Sequence, residues 1–225
     1  MSWQSADDQT GAVVGRRSSG RQMPHCSRPT MAAERKRQGF ALDANRRDEL
    51  VLAAARLFVD KGFAATTTRD IAEAVGMRSG SPFYHFRSKQ ELLKAAMLAG
   101  LDTGQRRLQA AIAGIHDPER RLRVMIRTHL GSLLEGECQA PMLLYESRSL
   151  DPAARREVAQ LTDSYQQVWQ QTLDELASAG RLRRSSPPVR LFLFGLLNWS
   201  SQWYKPDGAL SLDEIADAAA DLLLR

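Results

Sequence analysis

The chain has 225 residues, of which 43% are hydrophobic and 25% charged, so it is long enough to bury a core in one large or two small domains. Two cysteines, Cys26 and Cys138, are too few for a disulfide framework and have no metal-ligand spacing. The longest apolar run, residues 191–197, is far shorter than the ~20 residues of a membrane helix. These features exclude a disulfide-stapled domain and a membrane-spanning protein. They predict a chain of the reducing cytoplasm with no signal peptide, no metal and no cofactor.

The positive charge is unevenly distributed along the chain. The formal net charge is +5; residues 1–90 hold 15 basic and 9 acidic side chains, a net charge of +6, whereas residues 91–225 hold 16 and 17, a net charge of −1. A basic N-terminal part joined to a nearly neutral remainder is typical of a DNA-binding domain followed by a separate module. The alternative is that much of the excess belongs to a solvated tail.

Residues 1–42 are polar, rich in Ser, Gly, Gln and Arg, and show no apolar period. This composition predicts a disordered, basic N-terminal extension. Met23 and Met31 are alternative start positions within it. The basic run at residues 35–37 lies just ahead of the next domain, where it would either reach the phosphates or the minor groove of DNA or remain a solvated charge run.

The first predicted helix runs from Asn45 or Arg46 to Lys61 and ends at Gly62. Its apolar residues recur at helical spacing and predict one buried face. They are Leu50, Val51, Ala54, Leu57 and Phe58.

The next stretch predicts two short helices around a tight turn. Thr67 is a good helix N-cap, and Asp70 three residues later completes a capping box. Gly76 stands where a helix is closed by a residue of positive φ, and a second short helix follows from about Ser79. Ser88 opens a third helix. The pattern is that of a helix-turn-helix, whose second helix enters the major groove of DNA; an ordinary pair of core helices is the alternative.

The run KGFAATTTRDIAEAVGMRSGSPFYHFRSKQELL, residues 61–93, resembles the DNA-binding domain of the TetR family of bacterial transcriptional regulators. The resemblance implies a helix-turn-helix domain over residues 43–92 and an effector-binding and dimerisation domain over residues 93–225. It is carried by separated positions: Gly62, Thr67, Thr68, Ile71, Ala72, Gly76, Gly80, His85, Phe86, Ser88, Lys89 and Leu92.

The resemblance also implies which residues contact DNA. Hydroxyls and free N–H groups at the start of the first short helix suit phosphate, and a nearby arginine suits a guanine edge. For His85, a hydrogen bond inside the domain is the alternative to DNA contact. The implied contacts are Thr67, Thr68, Arg69, Arg78, Ser79, Gly80, Ser81, Tyr84, His85 and Lys89.

Two positions depart from the family pattern. Phe83 stands where the family commonly has a phosphate-binding tyrosine, so its hydroxyl is missing. Tyr84 lies one residue on, about 100° further around the helix. Pro82 is tolerated only in a first turn, so the recognition helix is expected to begin no earlier than about Ser79.

The remaining chain predicts further helices, about nine in all, and no strand. The fold class is therefore all-α, with a three-helix helix-turn-helix domain followed by a larger helical bundle. Gly100 and Gly104 would either let the long helix after Lys89 bend or allow close packing. The later helix starts are Asp117–Pro118, Pro141, Asp151–Pro152, Ser186–Pro187 and the capping box of Ser211 with Glu214.

The segment FGLLNWSSQWYKPDGALSLDEIADAAADLLL, residues 194–224, is similar to the branch of the TetR family that responds to acyl-coenzyme A compounds. This resemblance implies a homodimer that pairs through the last two long helices as a four-helix bundle. Such a two-fold interface matches a palindromic operator in double-stranded DNA.

An effector cavity needs apolar walls and a few placed polar groups. Met and aromatic side chains at helical spacing are alternatively plain core. Arg148 would either bind a phosphate or carboxylate of the effector, lie on the surface, or pair with Glu146 or Asp151. The candidate effector contacts are Met125, His129, Tyr145, Arg148, Trp169, Asn198, Trp199 and Trp203.

We therefore expect a ligand-responsive, sequence-specific DNA-binding regulator, a repressor released from a palindromic operator by a small effector, with an acyl-coenzyme A as candidate. Activation is the alternative sign. A helical protein that coats DNA or a membrane surface without sequence preference is the alternative class. An enzyme is not expected, because the sequence has no Ser/His/Asp order, no metal set and no phosphate-binding glycine loop.

Overall fold

Helices account for all the regular structure in the described part of the chain. The computed structural model describes the backbone of residues 31–77, 82–135 and 139–225, and side chains of residues 45–77, 84–135 and 140–225. Within these ranges there is no strand, which confirms the predicted all-α class. The described α-helices are α1 Met31–Lys61, α2 Thr68–Ala74, α3 Pro82–His85, α4 Lys89–Ile112, α5 Pro118–Leu134, α6 Gln139–Glu146, α7 Pro152–Ser178, α8 Pro187–Trp199 and α9 Leu212–Asp221.

Local capping signals set the helix starts. The carboxylate of Asp117 accepts a hydrogen bond from the N–H of Arg120 at 2.7 Å, and that of Asp151 accepts one from Ala154 at 2.8 Å, each with a proline at the first helical position. Ser211 caps α9 through the predicted capping box. Because these contacts lie within four residues, the starts follow directly from the sequence.

The start of α1 differs from the prediction. The helix begins at Met31 rather than at Asn45 or Arg46. This stretch lacks an apolar period, but it contains Ala, Glu, Lys and Arg, all good helix formers, and no proline. A helix already nucleated downstream extends through such residues. Residues 1–30 lie outside the described part, where the prediction of disorder stays untested.

The chain divides into two compact units, residues 1–40 and 41–225, and the core described here belongs to the second. Its first cluster contains residues of α1, α2, α4, α6 and α7, and its second contains residues of α4, α5, α7, α8 and α9. Leu93 and Leu101 of α4 lie in the first cluster and Leu108 in the second. The predicted domain boundary at residues 92 and 93 thus falls inside one continuous helix, and it stays a prediction.

No helix of the described part combines the length and the apolar content that crossing a bilayer would require.

Candidate DNA-binding face and effector cavity

The start of α2 is held by a reciprocal pair of hydrogen bonds. The Thr67 hydroxyl oxygen accepts from the N–H of Asp70 at 3.1 Å, and the Asp70 carboxylate accepts from the N–H of Thr67 at 2.7 Å. Hydrogen bonds from the Thr67 N–H and from the Thr67 side chain hold the pKa of the Asp70 carboxyl below its ordinary value.

The turn after α2 has the geometry that the sequence predicts. Gly76 adopts a φ of 67°, a left-handed conformation that side chains disfavour. The N–H of Gly76 donates to Glu73 and that of Met77 donates to Ala72, at 3.1 and 2.8 Å. This pair of bonds is a Schellman motif, which closes α2 and redirects the chain towards α3.

The end of α3 presents one aromatic ring to solvent and buries another. Tyr84 is 83% exposed, whereas Phe86 is 2% exposed and lies under the guanidinium of Arg47, whose carbon is 4.7 Å from the ring centre. His85 is half-buried, and its ring lies edge-on to that of Tyr84 at 5.3 Å. Because Tyr84 lies outside the core, its contact with a base or a phosphate would not disturb the packing around Phe86.

Several predicted DNA contacts fall outside the described residues. These are Arg78, Ser79, Gly80 and Ser81. The side chains of Pro82 and Phe83 are likewise outside the described part, so the effect of those two departures from the family pattern stays a prediction.

Arg69 and Lys89 both have partners within the domain. Arg69 is largely exposed on α2 and pairs with Glu73 at 2.8 Å, while Thr68 beside it is half-buried. The Lys89 ammonium donates to the carbonyl oxygens of Phe63 at 2.7 Å and Thr66 at 2.8 Å, and it lies 4.2 Å from the centre of the Phe63 ring. Lys89 thus ties the start of α4 to the connection between α1 and α2, a structural role that the sequence did not reveal. Its contact with phosphate stays a prediction.

The same connection is joined to the segment between α6 and α7. One carboxylate oxygen of Glu146 accepts from the N–H of Phe63 at 3.1 Å, and the other accepts from the hydroxyl of Ser149 at 2.8 Å. The amide of Gln90 donates to the carbonyl of Ser149 at 2.7 Å and accepts from the N–H of Asp151 at 3.1 Å. Three of these bonds, those made by Phe63 and Gln90, connect the helix-turn-helix domain to the end of α6 and the start of α7.

A cavity of about 420 Å³ lies among α4, α5, α6, α7 and α8. Its size is that of a small-molecule pocket. Both Gly100 and Gly104 of α4 border it, so the absence of their side chains leaves room inside the bundle. Its buried wall is mainly apolar and includes Leu101, Leu133, Leu150, Val158 and Phe194.

Exposed residues of α7 form one border of the cavity, here called the mouth. They are Arg155, Ala159 and Asp163, spaced one helical turn apart. The Arg155 guanidinium donates to the carbonyl oxygens of Arg148 at 2.7 Å and Leu150 at 3.0 Å. Sequence reasoning missed Arg155, because nothing in the periodicity of α7 distinguishes its exposed face from a cavity border.

Three polar side chains, here called the polar cluster, meet in the wall. The Nδ1 of His129 lies 3.1 Å from the hydroxyl of Tyr165, and its Nε2 lies 3.0 Å from Oδ1 of Asn198. This geometry fits a neutral imidazole that donates from Nε2 and accepts at Nδ1. The rings of Phe194 and Trp169 lie edge-on to the imidazole at 5.4 and 5.7 Å, so aromatic groups enclose the cluster.

Burial shifts both titratable members of the polar cluster towards their neutral forms. It lowers the pKa of His129 below the ordinary 6.5, an effect that the hydrogen bond to Asn198 only partly offsets. Burial also raises the pKa of Tyr165 to about 12. The indole N–H of Trp169 lies close enough to the Tyr165 hydroxyl to lower its pKa slightly, which partly offsets the effect of burial. The distance and angle between the two groups do not make an ordinary hydrogen bond.

The lowered pKa of His129 predicts a pH dependence of stability. Below pH 6.5 the unfolded imidazole binds a proton that the folded one resists, so the free energy of unfolding should fall as the pH drops below 6.5 and level off above it. Urea unfolding at several values between pH 5 and 8 measures this. His129→Gln should flatten the slope below pH 6.5; equal slopes in the two proteins would contradict the assignment.

Only two of the predicted effector contacts, His129 and Asn198, line this cavity, and the geometry does not support the other six as members of its wall. Met125 and Trp169 are fully buried in the second core cluster. The remaining four are exposed: Tyr145, Arg148, Trp199 and Trp203. Periodicity identifies residues on one helix face, but it does not distinguish a face that packs from one that borders empty space.

Helices α8 and α9 expose large apolar side chains. Phe192 is 78% exposed, Trp199 66% and Leu222 74%. A second, mainly apolar groove of about 210 Å³ between these helices is lined in part by Leu210 and Trp203. Contiguous exposed apolar surface of this kind is typical of an interaction site.

Among the residues whose positions are described, no group of three or more His, Cys, Asp or Glu side chains is placed to hold a metal ion.

Two family models match the chain. Residues 50–96 match the model described as bacterial regulatory proteins, tetR family, and residues 116–225 match the model described as tetracyclin repressor-like, C-terminal domain. The first range contains α2, α3 and the start of α4, and the second contains α5 and all the later helices.

Individual relatives cover most of the chain. It is 28% identical over 184 residues to the HTH-type transcriptional repressor KstR2 of Mycolicibacterium smegmatis, covering 80% of this chain and 90% of that repressor. A structure of AibR in complex with isovaleryl coenzyme A and operator DNA superposes with a TM-score of 0.74 at 27% identity, covering 79% of this chain and 97% of AibR. A structure described as superantigen PfiT has a TM-score of 0.70 at 39% identity, covering 80% of this chain and 96% of PfiT.

Proposed function

Because the chain belongs to the TetR family and is a ligand-responsive, DNA-binding transcriptional regulator, we propose that it acts in the cytoplasm as a homodimeric repressor of a palindromic operator and is released by an acyl-coenzyme A. The observation that carries the proposal is the cavity of about 420 Å³. The segment after α6 lines this cavity, and Glu146 at its start accepts a hydrogen bond from Phe63 of the helix-turn-helix domain. KstR2, a relative over most of its length, is itself named a repressor.

The DNA-binding part of the proposal rests on the start of α2 and the end of α3. The first turn of α2 offers backbone N–H groups and the Thr67 hydroxyl, both suited to phosphate. Tyr84 projects from α3 with 83% of its surface exposed, although the surrounding fold buries its aromatic neighbour Phe86. A large aromatic side chain held in solvent contributes little to the core and is available to contact a base edge or a sugar.

Replacing Tyr84 with alanine should weaken operator binding by about tenfold, within the 1–3 kcal/mol typical of a specific contact, without changing the salt dependence. Binding to random DNA should stay unchanged. Fluorescence anisotropy at several salt concentrations measures both. Tyr145→Ala, which removes an exposed tyrosine far along the chain, is the matched control. An equal loss of affinity on operator and random DNA would instead favour non-specific coating.

The homodimer is supported by the apolar face of α8 and α9. A two-fold interface places the same surface of both subunits together, so Phe192 and Trp199 would be covered by their counterparts on the second copy. Burial of this face would remove the largest exposed apolar side chains described in this part of the chain from water. The helix-turn-helix domains of the two subunits would then lie one helical turn of DNA apart, about 34–36 Å, as a palindromic operator requires.

The effector class is supported by the shape and charge of the cavity. The apolar wall suits an acyl group, and the volume of about 420 Å³ is in the lower part of the range for drug-sized ligands, so the nucleotide of coenzyme A would remain outside. Arg155 at the mouth offers a cation to a phosphate. AibR, a structural relative, was crystallised with isovaleryl coenzyme A and operator DNA.

Release would follow from a shift between conformations. Leu143, Ser147 and Leu150 border the cavity from α6 and the segment after it, and Glu146 of the same segment holds the N–H of Phe63 in the helix-turn-helix. An effector that favours a different position of this segment would also favour a different position of the helix-turn-helix domain. It would then weaken operator affinity by the ratio of its affinities for the two states.

Replacing Glu146 with alanine should uncouple the two sites. We expect the coupling free energy, obtained from operator affinity with and without saturating effector, to fall by roughly 0.5–2 kcal/mol. Glu157→Ala is the control, because Glu157 also joins two helices through its 2.5 Å pair with Lys94 but does not contact the connection between α1 and α2. An equal coupling free energy in the Glu146 variant and the wild type would exclude coupling through the hydrogen bond between Glu146 and Phe63.

The function as a whole is tested by binding the full chain to fragments of the DNA upstream of its own gene, with competitor DNA at physiological salt. We expect protection of one palindromic site by two copies, and release on addition of an acyl-coenzyme A from a panel. Binding no tighter than to random DNA across those fragments would overturn sequence-specific autoregulation. Specific binding that no acyl-coenzyme A weakens would overturn only the effector class.

A further inference from the structure

The polar cluster stands in a wall that is otherwise suited to a hydrocarbon chain. His129, Tyr165 and Asn198 border the same cavity as the buried side chains Leu101 and Leu133. Burying polar groups costs free energy unless they are hydrogen-bonded, so a cavity that binds only alkyl groups is better built without them.

The amide nitrogen of Asn198 is the one polar atom of the polar cluster's side chains without a hydrogen-bond partner in the described part of the chain. Both ring nitrogens of His129 are used, by Tyr165 and by Oδ1 of Asn198. The Asn198 amide nitrogen has two N–H groups. It has no hydrogen bond to any residue of the described part, and it is absent from the enclosed polar atoms that lack partners. Asn198 lines the cavity, and we take the accessible side of this nitrogen to be its cavity side.

We infer that the effector carries a neutral oxygen, a carbonyl or a hydroxyl, on its acyl group, and that the Asn198 amide nitrogen donates a hydrogen bond to it. This inference rests on the proposed function, since it concerns the occupant of the same cavity. Tyr165 and His129 position the amide, because the imidazole holds Oδ1 and leaves the nitrogen towards the ligand.

The oxygen is neutral because the interior offers no compensating charge. Among the cavity-lining residues, the charged ones are Arg155 and Asp163, and both are exposed at the mouth. A carboxylate or an ammonium group of the ligand next to the neutral His129 would lose hydration without gaining a counter-ion. A ketone or hydroxyl needs only the hydrogen bond that Asn198 provides. Plain alkyl chains would leave the amide nitrogen without a partner.

Matched thioesters test the inference. The 5-oxo- and 7-oxooctanoyl thioesters are compared with the 5-methyl- and 7-methyloctanoyl thioesters, which have the same number of non-hydrogen atoms. Each is prepared on coenzyme A and on N-acetylcysteamine, which lacks the nucleotide. Calorimetric titration of the full chain should show at least one oxo compound binding about tenfold more tightly than its methyl partner, as expected for one satisfied buried donor.

Asn198→Leu should remove that preference, because it removes the donor that distinguishes the oxo compounds from their methyl partners. Asn198→Asp, which keeps an acceptor for His129 but lacks the N–H donors, should remove it too and serves if the leucine variant does not fold. Equal affinity for oxo and methyl partners in the wild type, or a preference that survives both substitutions, would overturn the inference.

The two carriers separate this inference from the proposed effector class. Binding of the coenzyme A thioesters without an oxo preference would overturn the inference and leave the effector class standing. N-acetylcysteamine thioesters that show the oxo preference and bind as tightly as the coenzyme A thioesters would support the inference and count against recognition of coenzyme A. If no thioester binds, both the inference and the effector class are overturned, while operator binding is unaffected.

Discussion

Replacing Trp169 with alanine should lower the free energy of unfolding by about 3–5 kcal/mol. Trp169 is fully buried, and its ring lies 5.0 Å from Phe194, 5.7 Å from His129 and 6.4 Å from Tyr165. Truncation would remove these ring contacts and leave a cavity beside the polar cluster, which the rigid helices around it would fill only in part.

Urea unfolding followed by circular dichroism, at one fixed protein concentration because a dimer's stability depends on it, measures the loss. Tyr84→Ala is the control: it removes an aromatic side chain that is 83% exposed and should change stability by no more than about 0.5 kcal/mol. A loss below about 1 kcal/mol for Trp169→Ala would mean that the second core cluster relaxes around the missing indole, against the packing described here.

Replacing Ala159 with tryptophan should close the mouth of the cavity. Ala159 is exposed on α7, one turn from both Arg155 and Asp163, so an indole at this position would cover the opening between them. We expect the effector concentration needed for half-release of operator DNA to rise about tenfold or more, which corresponds to at least 1.4 kcal/mol of lost binding. Operator affinity without effector should stay unchanged, because α2 and α3 are untouched.

The matched control is Ala153→Trp, which makes the same substitution at an exposed position of the same helix that does not border the cavity. Both substitutions lower helix propensity by a similar amount, so a difference in the effector concentration for half-release reports on the mouth of the cavity. The measurement is release of a labelled operator by the acyl-coenzyme A that proves active on the wild type. An unchanged response in Ala159→Trp would show that the effector enters elsewhere.

The tertiary structure shows what surrounds the two glycines within the long helix α4. Gly100 and Gly104 suggested either bending or close packing, yet both border the cavity. A Cβ added at Gly104 would lie 4.0 Å from the Tyr165 ring, in ordinary contact. The glycines thus border open space inside the bundle, and this depends on which helices stand opposite α4.

Local interactions allowed much of the fold to be predicted. The caps at Thr67, Asp117, Asp151 and Ser211 join groups within four residues, and the turn at Gly76 needs only a residue that accepts positive φ. Such contacts do not depend on the tertiary packing of the rest of the chain. Residues without a period, such as those before Asn45, were missed because helix propensity acts there without an apolar face to reveal it.

The sequence by itself determined the all-α class, the capped helix starts, the helix-turn-helix and the family, but not the start of α1. Only the tertiary structure decided that His129 meets Tyr165 and Asn198, residues 36 and 69 positions away, and that Lys89 binds the carbonyls of Phe63 and Thr66. The physical reason is that capping and periodicity act within a few residues, whereas a cavity is a gap left between helices distant in sequence. Its lining depends on how those helices pack.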